Sequence, residues 1–88
     1  MWRVEFDERA RKELRTLDAQ AQREILRYLR ERIATGENPR RFGKGLGHDL
    51  SGLWRYRVGD FRLICRIEAE VLVVLVVRVG HRKEVYEG

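Results

Sequence analysis

Four arginines, Arg55, Arg57, Arg62 and Arg66, are spaced to share one face of a β-hairpin. They lie in Leu53-Trp54-Arg55-Tyr56-Arg57-Val58 and Phe61-Arg62-Leu63-Ile64-Cys65-Arg66-Ile67, two stretches separated only by Gly59-Asp60. A two-residue loop with glycine first suits a type II′ turn, whose first central residue needs a positive φ. That register sets Val58 against Phe61, Arg57 against Arg62, Tyr56 against Leu63 and Arg55 against Ile64. Alternation then gives one apolar face, from Trp54, Tyr56, Val58, Phe61, Leu63 and Cys65, and one face carrying the four arginines. Like charges placed directly opposite each other destabilise a sheet, and neither stretch holds an Asp or Glu. An anion between the guanidinium groups would relieve the repulsion. Each can take two phosphate oxygens in a fixed fork and stays charged at any working pH. The plainer alternative is a solvated outer face, which the cost of the Arg57–Arg62 pairing argues against.

Other residues fall into looser groups. In the tail Gly80-His81-Arg82-Lys83-Glu84-Val85-Tyr86, His81 is the one group near this surface that titrates around neutrality. Tyr86 has a ring that can stack on a base, worth about 1–3 kcal/mol. Gly43-Lys44-Gly45-Leu46-Gly47-His48 lacks the spacing of a phosphate loop, so it reads as a flexible connection with Lys44 as an auxiliary phosphate contact. Arg23, Arg27 and Arg30, with Glu24 and Glu31 nearby, read as an exposed salt-bridged helix face. His48, Cys65 and His81 have no ligand spacing, so neither a metal nor another cofactor is expected. Cys65 falls on the core face and reads as a buried structural thiol.

Composition sets the limits. The chain has 88 residues, with 19 Lys+Arg against 14 Asp+Glu, a net charge of +5 and a pI near 10.0. This length fits one domain, residues 1–88, burying about 60–65% of its unfolded surface. A small basic chain in which arginine far outnumbers lysine fits a nucleic-acid or acidic protein partner, and equally a small domain that its basic residues simply keep soluble. A single cysteine excludes an internal disulfide. The charged start, Met1-Trp2-Arg3-Val4-Glu5-Phe6-Asp7, is unlike a signal peptide. The apolar run Val71 to Val77 is far shorter than the ~20 residues that span a bilayer. A cytoplasmic location without membrane association is the expectation.

Trp2-Arg3-Val4-Glu5-Phe6 alternates as a strand should. Asp7 can cap a helix with Ala10, Leu14 and Leu17 on one side, and Asp18 a second with Ala21, Ile25, Leu26, Leu29 and Ile33. Gly36 suits the second helix's end, with Pro39 beyond it. After a loop from Gly36 to Gly52 comes the arginine hairpin, then Val71 to Val79, apolar on both sides and so suited to the middle of a sheet. The expected class is α+β, with order β-α-α-β-β-β: a small antiparallel sheet with an N-terminal helical hairpin on one face.

Phe6-Asp7, the run from Gly52 to Ile64, and Val79-Gly80-His81-Arg82-Lys83-Glu84-Val85-Tyr86 together resemble the RelE/ParE superfamily of bacterial toxins, over nearly the whole length. The resemblance implies a RelE-like toxin of a type II toxin–antitoxin pair, a metal-independent mRNA endonuclease (mRNA interferase) working in the ribosomal A site and so inhibiting translation. It implies that Arg55 and Arg57 match the basic residues of the second strand, Arg62 a phosphate-contacting arginine, Arg82 the general acid and Tyr86 the base-stacking tyrosine. Where the best-studied pattern has lysines, positions 55 and 57 are arginines, which are poor bases because a guanidinium holds its proton at any working pH. His81 is then a candidate base, and the assignment stays open. Implied partners are a cognate acidic antitoxin, the ribosome and mRNA, with operator DNA bound through the antitoxin. The alternatives are a ParE-like inhibitor of DNA gyrase without nuclease activity, and an inactive member kept for antitoxin binding.

Overall fold

A computed structural model describes residues 1–47 and 52–83. The chain opens with strand β1, Arg3–Phe6, followed by helices α1, Glu8–Arg15, and α2, Ala19–Tyr28. Both helices start where an aspartate can cap them. Asp7 Oδ1 accepts from the Ala10 amide at 2.8 Å, and Asp18 Oδ1 from the Ala21 amide at 2.7 Å. Such caps satisfy amides that a helix start leaves orphaned and are worth about 1 kcal/mol each.

The apolar stripe of α2 runs on through a π-turn, Leu29–Ile33, burying Ala21, Ile25, Leu29 and Ile33. Leu26, expected in the stripe, is 41% exposed. The helical run stops at Ile33, three residues before Gly36, where the Thr35 carbonyl accepts from the Trp2 amide at 2.8 Å. Nor do ion pairs link Arg23, Arg27 and Arg30 to Glu24 or Glu31 among the described residues. Glu24 instead accepts from Gln20 Nε2 at 3.4 Å.

A 3-10 turn, Pro39–Arg41, leads to a two-residue strand, β2, Lys44–Gly45. Strands β3, Leu53–Val58, and β4, Phe61–Glu68, form the hairpin, and β5, Val73–His81, closes the sheet in the order β1-β5-β4-β3-β2. The apolar β5 lies inside the sheet, between β1 and β4. One expectation changes here, because the sheet is mixed. The helical hairpin returns the chain to the far side of the sheet, and β1 pairs parallel with β5, from Arg3 opposite Val73 to Phe6 opposite Val76.

The helices cover one sheet face. There Ala10, Leu14, Ile25, Leu29 and Ile33 pack on Tyr56, Val58, Leu63, Cys65, Ile67, Val74, Val76 and Val79. Full burial of one such aliphatic side chain stabilises the fold by about 1.5–3 kcal/mol. The Cys65 thiol is fully buried, and burial pushes its pKa up, as befits an inert core thiol. Among the described residues no helix is long and apolar enough to cross a membrane.

Candidate anion-binding active site

The hairpin register places Arg57 opposite Arg62, Arg55 opposite Ile64 and Tyr56 opposite Leu63. Gly59 has φ +60°, the positive value a type II′ turn requires. Arg55, Arg57, Arg62 and Arg66 therefore share the face turned away from the helices. The face is not uniformly solvated. Arg57 and Arg66 are exposed, Arg55 is half-buried and Arg62 is only 8% exposed. Arg62 Nη1 donates to the Phe61 carbonyl at 3.1 Å and the Gly59 carbonyl at 3.4 Å, so the turn backbone helps hold this guanidinium. A charge held by local carbonyls at low exposure interacts more strongly with an incoming anion than one in bulk water.

Lys44 belongs to this face as well. It lies opposite Arg55 in the β2–β3 ladder, so the segment read as a flexible connection is partly an edge strand. The cause is Gly43, which has φ +79° and approaches β3 so closely that a Cβ there would lie 2.3 Å from the Arg55 carbonyl oxygen. Only glycine supplies that conformation and that clearance together.

His81 and Arg82 are placed by an irregularity in β5. Ile64 lies opposite Arg78 and Cys65 opposite Val76, so Val77 is an extra residue, a β-bulge. Before it Val74 and Val76 face the core; after it Val79 does. The phase has shifted by one residue. Gly80, opposite Arg62, thus lies on the arginine face, and Arg82 follows it there, its amide donating to the Asp60 carbonyl at 2.8 Å. His81 lies opposite Phe61 on the helix side, with the two rings edge to face at 6.0 Å. Its Nδ1 accepts from the Lys83 amide at 3.2 Å, so a neutral His81 carries its hydrogen on Nε2. The register thus puts Arg55, Arg57, Arg62 and Lys44 on one face, with Arg82 one residue past the end of β5, and sets His81 on the other face. Tyr86 lies outside the described residues. Among the described residues no cluster of three or more His, Cys, Asp or Glu could hold a metal.

Residues 4–86 match the family described as the ParE toxin of the type II toxin–antitoxin system parDE. Toxin RelG of Mycobacterium tuberculosis (strain ATCC 25618 / H37Rv) is 31% identical over 83 residues, 94% of this chain and 93% of that protein. The chain belongs to the RelE/ParE superfamily of type II toxins. Within it the toxin is close to RelE. The toxin–antitoxin complex RelBE2 from Mycobacterium tuberculosis contains a chain with TM-score 0.83 and 30% identity, covering 94% of this chain and 93% of that one. The intact E. coli RelBE toxin–antitoxin complex gives 0.73 and 25%, covering 92% and 96%.

A cleft beside the candidate site was not legible as a unit in the sequence. A cleft of about 370 Å³ is lined by Tyr28, Phe42, Gly43, Lys44, Arg55 and Arg57. Tyr28, half-buried against Tyr56 and Phe42, has its phenol pKa raised by burial and partly lowered again by nearby Arg32. The Arg32 guanidinium lies 5.3 Å from the Phe42 ring centre, Arg41 4.8 Å from the same ring, and Arg40 5.8 Å from that of Trp54. Trp54 Nε1 donates to the Phe42 carbonyl at 2.7 Å, and the Tyr56 hydroxyl to the Pro39 carbonyl at 2.7 Å, tying the segment to β3. Cation–π contacts orient these guanidiniums without neutralising them. In sequence the signal was the mixture Pro39-Arg40-Arg41-Phe42 followed by Gly43-Lys44, basic residues interleaved with an aromatic before a glycine.

Proposed function

We propose that this toxin is a ribosome-dependent mRNA endonuclease, silenced by an acidic antitoxin. The observation that carries the reading is the cross-strand pair Arg57–Arg62, flanked on the same face by Arg55 and Lys44. In this reading the 2′-hydroxyl oxygen attacks the adjacent phosphorus. The bond to the 5′-oxygen breaks, leaving a 2′,3′-cyclic phosphate on one product and a 5′-hydroxyl on the other. Arg57 and Arg62 hold the scissile phosphate and stabilise its growing negative charge, and Arg55 with Lys44 holds a neighbouring phosphate. Arg82, as general acid, gives a proton to the leaving 5′-oxygen, and Tyr86 stacks on a base. Arginine is a poor base, so the 2′-hydroxyl proton passes to a group beyond the arginines. His81, with Nδ1 engaged, enters as a hydrogen-bond donor from Nε2 at the rim.

The similar M. tuberculosis and E. coli chains come from toxin–antitoxin complexes, which supports an antitoxin partner here. A net charge of +5 suits an acidic one. In the complex, operator DNA would be bound through the antitoxin. A second reading rests on the matched family being that of ParE, and makes the toxin a DNA gyrase inhibitor without nuclease activity. Pulse-labelling of protein and DNA synthesis after induction separates the two. The nuclease reading expects translation to stop first, with mRNA cuts mapping to the A site and absent for Arg57→Ala. DNA breaks that precede any loss of translation would overturn it in favour of gyrase.

A further inference from the structure

The edge of β5 changes partner part-way along. Strand β1 stays beside it as far as Phe6 opposite Val76, and the Asp7 amide makes the last link, to the Val76 carbonyl at 3.0 Å. Beyond that point the backbone of β1 has turned into α1. Where a strand would have continued, α1 supplies one side chain. Glu13 Oε1 accepts from the Val79 amide at 2.7 Å, and Glu13 Oε2 from Arg78 Nε at 3.0 Å. Arg9 Nε lies 3.7 Å from the same Oε2, and the Glu13 side chain is only 24% exposed. Both β5 groups that Glu13 binds come immediately after Val77, the bulged residue.

The bulge decides which of two neighbours reaches the site. With strict alternation from Val74 and Val76, Arg82 would point to the helix side and His81 to the arginine face. One extra residue reverses that assignment. A bulge leaves its own residue outside the ladder and disrupts pairing locally, so a contact that holds the strand in the shifted phase favours it. We propose that Glu13 is a positioning residue of the toxin's site. By binding Arg78 and Val79 it pins the Val77 bulge and so turns Arg82 onto the face of Arg57 and Arg62. Its consequence for activity rests on the nuclease reading above; its consequence for the strand does not.

The test uses the full-length toxin with Glu13→Gln and Glu13→Ala, each alone and with Arg82→Ala. Glu13→Gln keeps an acceptor for the Val79 amide but loses the charge facing Arg78, which makes it the milder variant if Glu13→Ala folds poorly. Native-state amide exchange should quicken at Val79 and Arg82 by about tenfold or more in Glu13→Ala and less in Glu13→Gln, with Tyr56 and Leu63 unmoved. In single-turnover cleavage of ribosome-bound mRNA, Glu13→Ala should lower the rate about tenfold, with half-saturation in ribosomes changed less than about twofold. Added to Arg82→Ala, it should cost less than about a further twofold, because both changes remove one contribution. Unchanged exchange at Val79 in both variants would overturn the latch. An equal rate loss with or without Arg82 would overturn the positioning role. Should the unaltered toxin fail to cut ribosome-bound mRNA, the nuclease reading falls, and exchange still decides the latch.

Discussion

Replacing Gly43 with alanine tests how the basic edge of the site is held. Gly43 sits at φ +79°, and an added Cβ would lie 2.3 Å from the Arg55 carbonyl oxygen, 2.7 Å from Trp54 Nε1 and 2.8 Å from Tyr56 Cδ1. The left-handed backbone alone costs an L-residue about 1–2 kcal/mol. Forcing a methyl into a packed position adds about 1–3 kcal/mol. The contacts involve backbone and a hydrogen-bonded indole, which cannot swing aside as the tip of a lysine would. The expected loss is therefore about 2–5 kcal/mol, a large share of a total stability of about 5–15 kcal/mol. Its upper range is limited because β2 has only two residues and can detach, giving up the Lys44–Arg55 pairing and the Trp54–Phe42 hydrogen bond. Urea unfolding measures the loss, and the Trp54 indole N–H resonance reports whether β2 has let go. Gly36→Ala is the control, since nothing lies within 4 Å of its Cβ position. It should be neutral or stabilising by up to about 1 kcal/mol. A Gly43→Ala protein within about 0.5 kcal/mol of the original, with the indole resonance unmoved, would refute the argument.

Arg57→Ala and Arg62→Ala should both abolish growth arrest, but they should differ in stability. Arg57 is exposed and its loss should shift unfolding by under about 0.5 kcal/mol; Arg62, bonded to the Phe61 and Gly59 carbonyls at 8% exposure, should cost about 1–3 kcal/mol. Growth arrest that survives either change, measured at matched expression, removes the basis for the anion site. The alkaline limb of stability should start with Cys65. Burial raises its pKa above the ordinary 9.0, so the thiol's contribution is complete below pH 9.0 and is lost as pH climbs from there toward the folded-state value. Tyr56, raised above 10.0 by its own burial, adds a second loss at higher pH. Cys65→Ala should therefore flatten the curve from pH 9.0 upward, so that above pH 10.0 only the shallower decline from the buried tyrosine remains; identical slopes in the two proteins would contradict this.

The hairpin was legible because its information is local. Gly59-Asp60 fixes the loop, the loop fixes the register, and alternating Tyr and Arg fixes the faces, so the Arg57–Arg62 pair follows from a dozen residues. Both helix starts were legible for the same reason, through Asp7 and Asp18. The burial of Arg62 was not, since an arginine next to a turn reads as solvated until the turn's carbonyls close on it. Strand β2 was hidden because two residues carry no periodicity; what creates it is the room Gly43 leaves against Trp54 and Tyr56, more than ten positions along the chain. The β5 bulge was hidden most completely. Val73-Val74-Leu75-Val76-Val77 is apolar at every position, so shifting its phase by one residue alters no hydrophobic pattern. A run able to lie in either phase needs its phase set from outside. The group that contacts β5 just past the ambiguous stretch is the Glu13 carboxylate, 66 positions from Val79 in sequence. A uniformly apolar central strand suits burial between two neighbours but leaves undecided which tail residue falls on the side of the arginines. In this fold a polar contact from the first helix resolves that choice in favour of Arg82 over His81.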